Sequence, residues 1–136
     1  MAMDTPLGGG SQYSTVGDLL LWDQALYTEK LLSRQSLQAL FTPNLGPYPP
    51  GWLLGNKGGG YGYGWMIDEL FGRSLYHHGG LIYGFTSIIM RYPADKTLVV
   101  VLRNRDEQFP GNIRDLKIVA IGEGLSAIAF GASPRS

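Results

Sequence analysis

Between Tyr61 and Asn104 the chain repeats one scheme: a short apolar or aromatic run, a turn signal, then another run. "YGYGWMIDEL" alternates in polarity and is rich in aromatics, which is the period of a half-covered strand. Phe71 and Gly72 interrupt it. "RSLYHHGG" reads as a second strand, and so few residues between the two make them a hairpin. "FTSIIMRY" is a third strand. In "PADK", Pro93 and Asp95 stand where turn chemistry wants them. "TLVVVLRN" is a fourth strand, apolar enough to be buried on both faces. Connections this short leave no room for crossovers, so the sheet of about four strands is antiparallel.

The flanks read as helices. In "STVGDLLLWDQAL", Thr15 caps the start and Asp18 takes the matching first-turn position. Leu19, Leu20, Trp22, Leu26 and Tyr27 then form an apolar stripe near helical spacing. In "SRQSLQALF", Ser33 is the cap, Leu37, Leu40 and Phe41 are the buried face, and Pro43 stops the helix. After the strands, "NIRDLKIVAIGEGLSAIAF" predicts a C-terminal helix, weakened by Gly122 and Gly124. Residues 42–60, dense in proline and glycine, read as one long loop. The order gives an α+β fold: an antiparallel sheet with two N-terminal helices and a C-terminal helix packing on it, on one face or at its ends. At 136 residues the chain suits a single domain spanning 1–136.

Composition removes several function classes. Eleven basic residues balance eleven acidic ones. That argues against a nucleic-acid partner and against electrostatic attraction to an anionic membrane. No run of about 18 apolar residues exists to span a bilayer. There is no cysteine, so neither a disulfide nor a thiolate metal site. The first residues lack the basic and apolar stretches of a signal peptide, and the compartment stays open.

The stretch "YHHGGLIYGF" concentrates the chemistry. His77 and His78 are adjacent on a strand, so they point to opposite faces and cannot share one ion. Asp68 and Glu69 fall in the hairpin turn region. No metal or other cofactor is expected. "GGGYGYG" matches neither dinucleotide nor P-loop spacing, and it precedes a strand where those motifs open a helix. No Gly-x-Ser-x-Gly, Ser-x-x-Lys or Tyr-x-Asn is present. What remains is a histidine followed by Gly79 and Gly80. Glycine lets backbone approach a bound group closely, and a free N–H there could face a developing oxyanion. A glycine bulge leaving the strand, with His78 simply exposed, fits those residues equally well.

The order of these motifs resembles the serine β-lactamase family, which joins class C β-lactamases, D-Ala-D-Ala carboxypeptidases and related esterases. "GGGSQYSTVGDLLLWDQAL" is similar to its Gly-Gly, Ser-Thr, Asp-Leu segment, and "LLSRQSLQALFTP" to the helix that follows. "YGYGW" looks like its aromatic-glycine strand. "HHGGLIYGFTS" looks like its third active-site motif, Lys/His-x-Gly, and "VVVLRNRD" like its last core strand. The likeness runs over roughly residues 8–130. It implies a partial transpeptidase-like fold, with His78 at the Lys/His position and Gly79 and Gly80 completing the motif. It further implies that the Leu81 N–H is the second oxyanion donor, and that Asn104 lies near a substrate carboxylate.

The same resemblance exposes a gap. The family's nucleophile and base belong to Ser-x-x-Lys and Tyr-x-Asn, so the chain resembles a C-terminal portion that is not catalytically competent alone. A stand-alone ligand-binding or interaction module on the same scaffold is the other reading. In the family fold the strand like "TLVVVL" pairs with an N-terminal strand that these residues do not supply. Its open edge implies self-association, or pairing with an N-terminal half.

Overall fold

The computed structural model describes residues 9–46, 54, 59–105, 107–108 and 116–133. Helices α1 (Val16–Ala25) and α2 (Arg34–Leu40) precede five strands, β1 (Gly60–Tyr61), β2 (Met66–Leu70), β3 (Arg73–Ile82), β4 (Phe85–Tyr92) and β5 (Thr97–Arg103), and helix α3 (Lys117–Phe130) follows. The strands form one antiparallel sheet in sequence order. The α+β class holds.

The strand count changes for a local reason. The run expected as one strand over 61–70 folds back at Gly62–Trp65, where the Gly62 N–H donates to the Trp65 carbonyl at 2.8 Å and Gly64 takes a positive φ of 77°. Phe71 and Gly72 both have positive φ, 54° and 70°. That pair of angles marks the type I′ turn whose twist suits a two-residue hairpin. Of the long loop expected over 42–60, Leu45 forms a bridge to Tyr61 and Leu54 is buried in the core. Residues 47–53 and 55–58 lie outside the described set.

Alternation along β4 divides the helices between the two faces rather than gathering them on one. Met90 faces the core with Leu70, Leu75, Ile88, Tyr92 and Val99, closed by Ile118 and Val119 of α3. Its neighbour Arg91 faces the other way, toward α1. Gly122, expected as a weak point, is where α3 meets the sheet: a Cβ there would lie 2.8 Å from Met90 Sδ. Gly124 has open space around it. The expected start of this helix at Asn112 falls outside the described residues. The first turn of α3 is tied by a side chain from upstream. The Glu107 carboxylate accepts from the Lys117 and Ile118 N–H groups and pairs with Arg103 at 3.1 Å.

The other face corrects the reading of α1. Its cap forms as expected, with the Asp18 N–H donating to Thr15 Oγ1 at 3.1 Å. Most of the apolar stripe does not bury: Leu20 is 45% and Trp22 40% exposed, Leu26 is buried but stands just past the helix as its C-cap, and the one buried residue within the helix is Asp23. Asp23 forms a salt bridge with buried Arg91 and also accepts from its guanidinium through the backbone carbonyl at 3.4 Å. The rings of Tyr27, Phe41 and Trp65 surround that guanidinium at 4.9, 5.0 and 5.8 Å. Phe41 in turn stacks on Tyr76 at 4.5 Å, and Trp22 on Trp65 at 5.8 Å. The expected buried face of α2 is only half-covered, through Leu37, Leu40 and Phe41. So an ion pair inside an aromatic cage, together with buried Leu26, attaches the N-terminal helices.

Among the described residues β5 is an edge strand. Val99 is buried, but Leu102 is 39% exposed, so burial on both faces does not hold along its length.

Candidate functional site

The geometry starts from β3. Its register with β4 runs unbroken: His77 opposite Met90, His78 opposite Ile89, Gly79 opposite Ile88, Gly80 opposite Ser87, Leu81 opposite Thr86 and Ile82 opposite Phe85. There is no bulge at the glycines, and the strand continues two residues past its expected end at Gly80. On its other side β3 pairs with β2 only as far as Met66 opposite His77. From His78 to Ile82 the strand therefore has β4 along one edge and no described strand along the other. Successive residues send their backbone groups to alternate edges. The Gly79 carbonyl and the Leu81 N–H thus leave by the same edge.

His78 is half-buried, and both of its ring nitrogens are engaged. Nδ1 lies 2.7 Å from the Gly79 carbonyl oxygen and Nε2 lies 3.0 Å from the Tyr61 hydroxyl. A carbonyl only accepts, so Nδ1 carries the proton, and in the neutral ring Nε2 accepts from Tyr61. The Tyr61 and His78 rings meet edge-on with centroids 6.0 Å apart. Burial pushes the His78 pKa below the usual histidine value. The Gly79 carbonyl opposes that shift, and the neighbouring His77 adds to it.

The two glycines differ. A Cβ on Gly80 would fall 2.5 Å from Ser87 Oγ, whereas one on Gly79 would find nothing nearer than the Ser87 carbonyl at 3.6 Å. A side chain at position 80 would make the Ser87 hydroxyl turn aside, whereas position 79 has room. Leu81, Tyr83 and Phe85 stand exposed around the β3–β4 turn. Asn104 is exposed in the bend after β5. Because Thr86 pairs with both Leu81 and Arg103, Asn104 sits at the same end of the sheet, two strands away from the motif.

His77 points into the core and is 1% exposed. Asp68, placed by the sequence in the hairpin turn, lies instead on β2 with its Oδ2 3.5 Å from His77 Nε2. That exceeds an ordinary hydrogen bond, and Nε2 has no hydrogen-bond partner among the described residues. Among the described residues no three His, Cys, Asp or Glu side chains gather as a metal site. Sequence reasoning missed Tyr61. "GGGYGYGW" was legible as aromatic and glycine-rich, but which aromatic faces His78 depends on the turn at Gly62–Trp65.

A five-stranded antiparallel sheet with helices on both faces and a histidine-glycine-glycine strand at an open edge defines a class that comparison identifies. The Beta-lactamase family model matches residues 1–123, and the chain belongs to that family. It is 29% identical over 107 residues to penicillin-binding protein 4* of Bacillus subtilis (strain 168), a match covering 77% of this chain and 22% of that protein. Among solved structures, an octameric penicillin-binding protein homologue from Pyrococcus abyssi superposes with a TM-score of 0.70 at 27% identity, over 89% of this chain and 25% of that one. A penicillin-binding protein from Bacillus halodurans superposes with a TM-score of 0.58 at 29% identity, over 73% of this chain and 29% of that one. The chain thus spans about a quarter of the length of these relatives.

Proposed function

We propose that these residues form the third-motif wall of a penicillin-recognising serine hydrolase, of β-lactamase, carboxypeptidase or esterase type. His78 is the polar side chain of that wall, Gly79 and Gly80 keep it flat, and the Leu81 N–H is one oxyanion donor. Asn104 lies at the substrate-carboxylate end. The observation that carries this reading is the open edge of β3 from His78 to Ile82, with the Gly79 carbonyl and Leu81 N–H leaving on one side.

Acyl transfer needs an activated nucleophile. The 136 residues hold no Ser-x-x-Lys and no Tyr-x-Asn. The chain alone is therefore inactive and acts with a segment that supplies them. Purified protein assayed with a chromogenic cephalosporin and a p-nitrophenyl ester gives no turnover above buffer. Turnover that disappears in His78→Gln would overturn the claim of inactivity.

The exposed Leu81, Tyr83 and Phe85 beside the site favour a second reading, a ligand-binding or interaction module without chemistry. A ligand that raises the melting temperature without being consumed distinguishes it. The β5 edge, left without a strand partner among the described residues, also supports self-association. An octameric relative is consistent with this. Sedimentation as a monomer at high concentration would count against it.

A further inference from the structure

Tyr61 has no role in the reading above, yet it is the side chain that meets His78. Its backbone is tied to the segment that follows α2. The Tyr61 N–H donates to the Leu45 carbonyl at 2.7 Å, and the Tyr61 carbonyl accepts from the N–H groups of Asn44 at 2.8 Å and Leu45 at 3.1 Å. The next residue, Gly62, lies so close to the end of α2 that a Cβ there would sit 2.3 Å from the Leu40 carbonyl oxygen. Backbone contacts on both sides thus aim the phenol. What it reaches is Nε2 of His78, at 3.0 Å.

We propose that Tyr61 is the positioning residue for His78. Its hydroxyl donates to Nε2 and holds the imidazole in the Nδ1–H tautomer, with the ring fixed against the Gly79 carbonyl. The tautomer of a histidine is set by what its two nitrogens meet. A histidine left to water favours the opposite form, with the proton on Nε2. With both nitrogens engaged, a substrate group or a nucleophile's partner reaches the imidazole through the Tyr61 oxygen, or by displacing it. The proposal rests on His78 being the polar group of the site.

The test is a long-range ¹H–¹⁵N correlation spectrum of the full chain with ¹⁵N-labelled histidine, at a pH where the ring is neutral. His78→Gln identifies which signals belong to His78. In the wild type, His78 shows a protonated Nδ1 and an unprotonated Nε2. Tyr61→Phe keeps the ring but removes the donor. Losing one hydrogen bond shifts the tautomer ratio toward Nε2–H by roughly three- to tenfold. A ratio unchanged in Tyr61→Phe would overturn the proposal, as would a wild-type spectrum already showing Nε2–H. If Tyr61→Phe does not fold, the wild-type spectrum still decides. A correlation across the hydrogen bond from the Tyr61 hydroxyl proton to Nε2 supports the proposal, and an Nε2–H signal overturns it. None of these outcomes depends on turnover. Failure of the functional reading would appear separately, as activity with an added partner segment that is indifferent to His78→Gln.

Discussion

Replacing Asp23 by alanine tests how the N-terminal helices are held to the sheet. Asp23 is 2% and Arg91 1% exposed. The substitution deletes the carboxylate and leaves the guanidinium inside the cage of Tyr27, Phe41 and Trp65. The backbone carbonyl of residue 23, at 3.4 Å, is then its remaining oxygen contact from α1. Removing one partner of a buried pair costs about 3–5 kcal/mol, because the other charge stays desolvated. An exposed pair costs about 0–1 kcal/mol. The structure contains such a control in Arg34–Glu29, 3.8 Å apart with side chains 89% and 58% exposed. Urea unfolding followed by tryptophan fluorescence separates the cases. Asp23→Ala lowers the midpoint by about 1 M or more, given slopes of about 1–3 kcal/mol per molar urea, while Glu29→Ala barely moves it. The double variant Asp23→Leu with Arg91→Met recovers much of the loss, since an apolar pair of similar volume needs no desolvated charge. Asp23→Ala within about 1 kcal/mol of wild type would refute the reasoning. The cage would then be incidental, and α1 would be held by its apolar contacts.

Four further outcomes follow. Gly124→Ala stabilises by up to the roughly 1 kcal/mol of helix propensity that glycine forfeits, and so raises the melting temperature. Gly122→Val destabilises by about 1–3 kcal/mol and lowers the melting temperature, because the side chain meets Met90 and Ile88. Glu107→Ala destabilises by about 1–3 kcal/mol by leaving the first N–H groups of α3 without an acceptor, and hydrogen exchange at Lys117 and Ile118 accelerates. For His78 the folded pKa lies below the unfolded value, so between the two the unfolded chain binds more protons. This contribution to stability is full above the unfolded pKa and falls away as pH drops toward the folded one. Melts between about pH 5 and 8 have that slope, and His78→Gln flattens it.

The sheet was legible because its signals are local. Each strand carries its own period and each turn its own residues, and the hairpin at Phe71–Gly72 follows from two positions. The helix caps at Thr15 and Ser33 were readable for the same reason. What the sequence concealed depends on partners far apart in the chain. Nothing local marks Asp23 for burial; its partner Arg91 stands 68 residues later. Asp68 looked like a turn residue until the register set it beside His77. Gly122 looked like a defect in a helix, because its reason lies on β4. The site divides the same way. The run His78–Leu81 is contiguous and could be read directly, whereas Tyr61 joins it only because β1 folds back through Gly62–Trp65. The family likeness supplied roles for His78 and Leu81 that periodicity alone had left open between a ligand-facing strand and a bulge.

As proposed above, this chain would contribute the His78 wall to a hydrolase whose nucleophile lies on another segment. The most direct measurement mixes the purified chain with a separately expressed Ser-x-x-Lys and Tyr-x-Asn segment from a related penicillin-binding protein, then follows hydrolysis of a chromogenic cephalosporin. The account predicts no turnover from either part alone, turnover from the mixture, and its loss with His78→Gln. Turnover by the chain alone would contradict it, as would a mixture that is silent or that works equally well without His78.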